Sequence, residues 1–240
     1  MTNHPRGWQT GAAQARPTGF IDDGLRQHML RVYNYMTMGL AITGLVAVLT
    51  ANSPALLNLI FGTGLRWVVI FAPLGFVLAL SFGVTRLSTG AVQALFWGYS
   101  AVMGLSLASL FLLYTGESIA RVFFISAATF GATSLYGYST RRDLSAFGGF
   151  MVMGLFGLII AMVVNLFLQS DQLAFLVSAI GVLVFTGLTA WDTQRIKEMY
   201  VENQGWEAGQ KLAVMGALTL YLDFINLFLM MLRLTGSQRQ

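Results

Sequence analysis

The sequence predicts an all-α integral membrane protein with seven transmembrane helices, and three observations carry that prediction. Hydrophobic residues make up 56% of the 240-residue chain, charged residues 10%, and the mean hydropathy is +0.68, whereas a soluble domain is about 25% charged. Seven apolar segments recur along the chain, each about 19 to 25 residues, the length a helix needs to cross roughly 30 Å of hydrocarbon. The connections between them are short, which leaves no room for a separate soluble domain.

Residues 1–25 are rich in Gly, Thr, Gln and Pro, with Arg6 and Arg16 among them, and are too polar to bury a core. They read as a disordered tail before a single transmembrane domain at 26–240. No apolar run precedes residue 29, and no small-residue cleavage site follows the first one, so that run is expected to be a span and not a removable signal. The spans are expected at about Val32 to Ala51, Trp67 to Thr85, Ala91 to Tyr114, Val122 to Thr140, Phe147 to Leu168, Leu173 to Trp191 and Leu212 to Leu232. Turn and charge signals separate them: Asn52-Ser53-Pro54, Arg86 with Ser88 and Gly90, Gly116-Glu117, Arg141-Arg142-Asp143, Ser170-Asp171, and the polar stretch Arg195 to Lys211. A cytoplasmic N-terminus would place ten of the fourteen Lys and Arg residues inside. The positive-inside rule therefore favours that orientation, with the C-terminus outside.

Composition also excludes function classes. The chain has no cysteine, hence no disulfide framework, thiolate metal site or cysteine nucleophile. Its only histidines, His4 and His28, precede the first expected span, which argues against a Ser-His intramembrane protease or a histidine metal cluster. No lysine lies in an apolar segment, as a retinal Schiff base in the last helix would require. The net charge of +4 without a basic, aromatic-interleaved cluster gives no reason to expect nucleic acid.

One residue stands out against this background. Asp223 lies near the centre of the last apolar segment, where a carboxylate costs about 2.5 to 3.5 kcal/mol in a bilayer. Such a residue is by default functional and needs a partner. Few other ionisable groups touch the spans: Arg86 ends the second and Asp192 ends the sixth, both on the side assigned to the cytoplasm. If the sixth helix continues past Trp191 towards Met199, Asp192 is drawn below the interface and can face Asp223. Two carboxylates about 4 Å apart at an effective dielectric near 20 repel by about 4 kcal/mol, so the pair would share one proton and titrate as a unit. Thr219 and Asn226 flank Asp223 at i−4 and i+3, making one face of the seventh helix polar.

Simpler roles exist for each residue. Asp192 can pair with Arg195 three residues on, Asp223 can be a protonated acid joining helices, and Arg86 can be a topological charge. An enzymatic reading also survives: aspartates near the sixth and seventh spans are the arrangement of intramembrane aspartyl proteases. Those enzymes have a Gly-x-Gly-Asp type of surround, whereas Leu220-Tyr221-Leu222 precede Asp223 here.

Three segments carry a resemblance to a known family: Ala217 to Phe228 around Asp223, Gly187-Leu188-Thr189-Ala190-Trp191-Asp192-Thr193-Gln194, and Ser134-Leu135-Tyr136-Gly137-Tyr138-Ser139. With nearly everything after residue 25, they resemble the Bax inhibitor-1 (transmembrane Bax inhibitor motif) family, especially its bacterial branch. The resemblance implies a seventh helix that is central and surrounded by the other six, and a pH-sensitive calcium leak. It also implies that Asp192 and Asp223 match a di-aspartyl pH sensor and that Arg86 matches the basic residue that latches to it. Where other members have a basic run after the second span, Arg86 stands alone here, and the C-terminal tail lacks the basic cluster of some eukaryotic members.

The expectation is thus a pH-gated calcium leak channel of a bacterial inner membrane, not an enzyme and without catalytic residues. Ca²⁺ and protons are its ligands, the bilayer is its partner along with any membrane proteins it contacts, and no cofactor is tightly bound. Calcium prefers oxygen ligands, so deprotonated Asp192 and Asp223, with carbonyls and Asn226, would form a transient site weak enough to release the ion. The alternatives are an intramembrane aspartyl protease and a non-transporting membrane factor that regulates other membrane proteins.

Overall fold

A computed structural model describes residues 23–200 and 205–239. The expected polar tail lies, as far as residue 22, outside the described residues, and its last three positions already belong to the first helix. The described chain is helical: α1 Asp23–Ala51, α2 Pro54–Phe61, α3 Leu65–Gly83, α4 Thr89–Leu107, α5 Leu110–Leu113, α6 Gly116–Ser139, α7 Ser145–Leu168, α8 Asp171–Glu198 and α9 Trp206–Thr235. Seven stretches are long and apolar enough to cross a membrane: α1, α3, the α4–α5 unit over Thr89–Leu113, α6, α7, α8 and α9.

All seven expected spans are present, and the structure moves their ends. α1 begins nine residues before Val32, α8 continues to Glu198, and α9 starts at Trp206. Hydropathy marks only the stretch that lipid covers, whereas backbone hydrogen bonding carries a helix on through polar residues at the interface. At 1.5 Å per residue, the 30 residues of α9 reach about 45 Å, well beyond the roughly 30 Å hydrocarbon layer. The eight-residue helix α2, which the turn signals did not announce, follows from local chemistry. Pro54 occupies its first turn, where a missing N–H costs nothing, and the Ser53 side chain accepts from the Leu56 amide.

Burial is graded across the bundle. In their most apolar windows, 67% of α9 is buried inside the protein but only 11% of α7. α9 packs against α1, α4, α6 and α8, while α3 packs on α4, and α7 on α8. Outward faces carry Phe82, Phe124, Leu166, Phe167 and Leu183, all largely exposed, as a lipid solvent permits. The inner faces are lined with small and hydroxyl-bearing residues that let helices approach. In α3, buried Pro73 deprives the Val69 carbonyl of its helical donor, and Ser106 of α4 supplies a replacement at 2.6 Å. Tyr221 of α9 is tied to α1 through Thr43 (2.6 Å), whose hydroxyl also lies 2.8 Å from the Ser100 carbonyl of α4. At the C-terminus, residues 237–239 pair with the α5–α6 connection. The Arg239 amide donates to the Leu113 carbonyl and the Thr115 amide to the Ser237 carbonyl.

Candidate functional site

The site is built where α8 and α9 make the most extensive helix contact in the bundle. Close approach there depends on small residues: a Cβ on Gly181 of α8 would meet Met230 of α9, and one on Gly216 of α9 would meet Ile196 of α8. Because α8 does not stop at Trp191, Asp192 sits inside a continuous helix and not at a frayed end. Asp192 and Asp223 are 7% and 6% exposed, and their carboxyl groups lie in hydrogen-bonding contact across the interface. A carboxylate only accepts, so that contact is favourable when one of the two carries a proton. One oxygen of Asp223, Oδ2, is buried and receives no hydrogen bond from any N–H or hydroxyl group. That is a costly state for a buried polar atom.

The cation whose charge acts on Asp192 is Arg195, three residues along the same helix. Its guanidinium lies 5.4 Å from the centre of the Trp191 ring, and it is exposed. Arg86 is placed differently, in the exposed turn between α3 and α4, where α3 packs against α2 and α4. The two aspartates are thus brought together, and Arg86 is not brought to them in this structure. Thr219 lines the same cavity as Asp192, with its hydroxyl bonded to the Met215 carbonyl at 3.2 Å. Asn226 turns its amide onto its own helix, donating to the Leu222 carbonyl at 2.8 Å.

That cavity, about 250 Å³, opens beside Asp192 between α1, α8 and α9 and is also lined by His28, Arg195 and Gly216. Buried His28, whose ring centre lies 5.6 Å from that of Tyr200, counts in the sequence only as a histidine ahead of the first hydrophobic run. Only the early start of α1 carries it into the bundle.

Other residues missed by sequence reasoning fasten the same end of α8. Gln194 accepts from the Leu144 amide and donates to the Arg142 carbonyl, both at 2.8 Å. Lys197 donates to the Tyr138 carbonyl at 2.9 Å. These bonds lock α8 to the last turn of α6 and to the α6–α7 connection. In that connection Asp143 is exposed and its Oδ1 accepts from the Ser145 amide at 2.8 Å; bonds to Ser145, with the side chain first, hold its carboxyl below the usual range. Higher up, Ser134 of α6 bonds Thr193 (2.9 Å) and Tyr33 of α1 (2.6 Å). The signal for this belt was a polar residue every three or four positions continuing past the apolar stretch of α8. The three segments singled out in the sequence therefore converge: Ser134 meets Thr193, Gly137 faces Ala190, and Asp192 meets Asp223.

Comparison with known proteins agrees with this convergence. Residues 25–240 match the family model for the inhibitor of apoptosis-promoting Bax1. An uncharacterized protein of Rickettsia prowazekii is 53% identical over 219 residues, covering 91% of this chain and 93% of that one. The inner membrane protein YbhL of Escherichia coli is 47% identical over 219 residues, 90% of this chain and 94% of its own length. An uncharacterized protein of Caulobacter vibrioides is 41% identical over the full length of both chains. With seven membrane-spanning helices and a family match that covers all of them, this chain is an integral membrane protein of the Bax inhibitor-1 family.

Proposed function

We propose that the chain is a pH-sensitive cation leak channel, with calcium as the permeating ion, gated by the Asp192–Asp223 pair. The observation that carries the proposal is the contact of two buried carboxyls between α8 and α9, with Oδ2 of Asp223 receiving no hydrogen bond from any N–H or hydroxyl group. Protonated once, the pair holds α8 and α9 together by a hydrogen bond. Fully ionised, it repels by about 4 kcal/mol at 4 Å and an effective dielectric of 20, and it presents an anionic oxygen site to Ca²⁺. Among the described residues no third His, Asp or Glu joins the two to form a group of three, which suits an ion that must bind weakly and leave. The proposed setting is a bacterial inner membrane, N-terminus cytoplasmic and C-terminus outside, as the distribution of Lys and Arg favours and as YbhL's description as an inner membrane protein supports. No enzymatic activity and no tightly bound cofactor form part of this reading.

Calcium flux into liposomes holding the purified protein tests the proposal and its direction. Flux should rise between about pH 6 and pH 8, a window chosen for a carboxyl pair that shares a proton. Greater flux at the acidic end would mean that a cation bound to the ionised pair closes the pore and that repulsion does not open it. Absence of flux at every pH would leave a non-transporting regulator. Cleavage of a membrane substrate, lost on either Asp→Asn change, would identify an aspartyl protease.

The two arginines separate in the same assay. Arg195 is the cation beside Asp192, and an exposed charge pair is worth about 0.2 to 1 kcal/mol. Arg195→Gln should therefore change flux at fixed pH by no more than about fivefold. Arg86→Ala raises basal leak only if the α3–α4 turn reaches the aspartates in the closed state. An unchanged leak in that variant assigns Arg86 to topology.

A further inference from the structure

A cavity of about 950 Å³ lies away from the aspartates, between α1 and α6 with Phe224 of α9 among its lining residues. α1 and α6 each pack along α9 and meet one another through the Tyr33–Ser134 bond. The groove between them opens sideways, and Leu30 and Leu135 on its walls are 49% and 65% exposed. On α1 it runs from Arg26 to Gly44, about 27 Å at 1.5 Å per residue, which is more than the roughly 15 Å of hydrocarbon in one leaflet.

Its chemistry is graded along that length. Because α6 runs antiparallel to α1 here, Tyr138 and Ser134 stand at the Arg26 end and Phe123 at the Gly44 end. The Arg26 end is rimmed by positive charge. Lys197 lies 5.8 Å from the centre of the Tyr138 ring, and Arg141 and Arg142 follow α6 by two and three residues. Asp23 at the start of α1 is the one acidic residue in that first turn. The rest of the groove is Met, Leu, Ala, Gly and Phe, with Tyr33 and Thr37 as its further polar side chains. Gly44 and Gly131, on opposite walls, would each meet nothing within 4 Å if given a Cβ, so the groove is open space and not a packing seam.

We infer that this groove binds one anionic glycerophospholipid from the surrounding leaflet, its phosphate at Arg26 and one acyl chain laid along α1 and α6. The occupant is set by charge complementarity at one end, by an apolar channel of acyl-chain length at the other, and by an opening that faces the bilayer. A basic rim of this kind recognises headgroup charge, while the apolar walls recognise any chain.

The test uses full-length protein in detergent, titrated with phosphatidylglycerol or phosphatidylcholine of identical chains and read by native mass spectrometry. Wild type should retain one phosphatidylglycerol per chain about fivefold more strongly than phosphatidylcholine, the discrimination expected of a basic residue near an anionic headgroup. Arg26→Gln should abolish that preference while lipid retention persists. Gly44→Leu with Gly131→Leu should fill the groove and remove the adduct without lowering the unfolding temperature in lipid-free detergent, since neither side chain meets a neighbour at its Cβ. Equal retention of both lipids by wild type would overturn the headgroup assignment. An adduct that survives the double leucine variant would overturn the groove.

Discussion

Asp223→Asn should abolish the pH dependence of calcium flux. Wild-type flux is expected to change at least tenfold between about pH 6 and pH 8, because a repulsion of about 4 kcal/mol is ample when each 1.4 kcal/mol is a factor of ten in the gate's equilibrium. Asparagine preserves the size of the side chain and its place in the α8–α9 interface but cannot ionise, so Asp192 is left without a titrating partner. The ratio of flux at the two ends of the pH window should fall to about one in the variant, whatever its absolute leak. Liposome flux on wild type and variant at matched protein content is the measurement, and a variant that followed pH like wild type would remove the pair from the gate. Asp192→Asn should behave similarly but less completely, because Asp192 adjoins the cavity and Arg195 whereas Asp223 is enclosed by α9's own packing.

The second large effect concerns assembly. Gly137→Ala should destabilise the protein by about 1 to 3 kcal/mol, although in a helix interior the same change gains about 1 kcal/mol from propensity alone. Packing reverses the sign: a Cβ on Gly137 would run into the carbonyl of Ala190, backbone against which no rotamer change gives relief. The collision would push α6 away from α8 beside the Ser134–Thr193 bond, two residues along α8 from Asp192. Gly131→Ala on the same helix is the control, since it faces open space and should be neutral or slightly stabilising. Unfolding of both variants in detergent, by heat or by titrated denaturing surfactant, checks the pair. Equal stability would show that α6 and α8 can slide apart at little cost.

Much of this molecule is legible before any coordinates. Lipid is an apolar solvent that cannot satisfy backbone polar groups, so a run of about twenty apolar residues has one available structure. The seven spans follow from that rule, and so does the oddity of Asp223. The rule reads only the lipid-covered stretch. It was therefore silent on where helices end, and the ends matter here. The continuation of α8 to Glu198 buries Asp192, and the early start of α1 carries His28 into the cavity beside it. The short helix α2 depended on a cap and a proline that read equally well as a turn.

The sequence by itself determined the class of protein, the number of spans and the anomalous carboxylate, because each is set by the transfer of single residues or segments into lipid. Tertiary structure alone decided which charges meet. Arg86 and Arg195 both stand in the sequence as basic residues at helix ends, each offered as a partner for the aspartates. The packing of α3 on α4 leaves one of them exposed in a turn, while the helical path of α8 puts the other beside Asp192. The lipid groove was hidden for the same reason. Its two walls lie about ninety residues apart in the chain, and an empty space between helices has no signature in either segment until both are docked on α9.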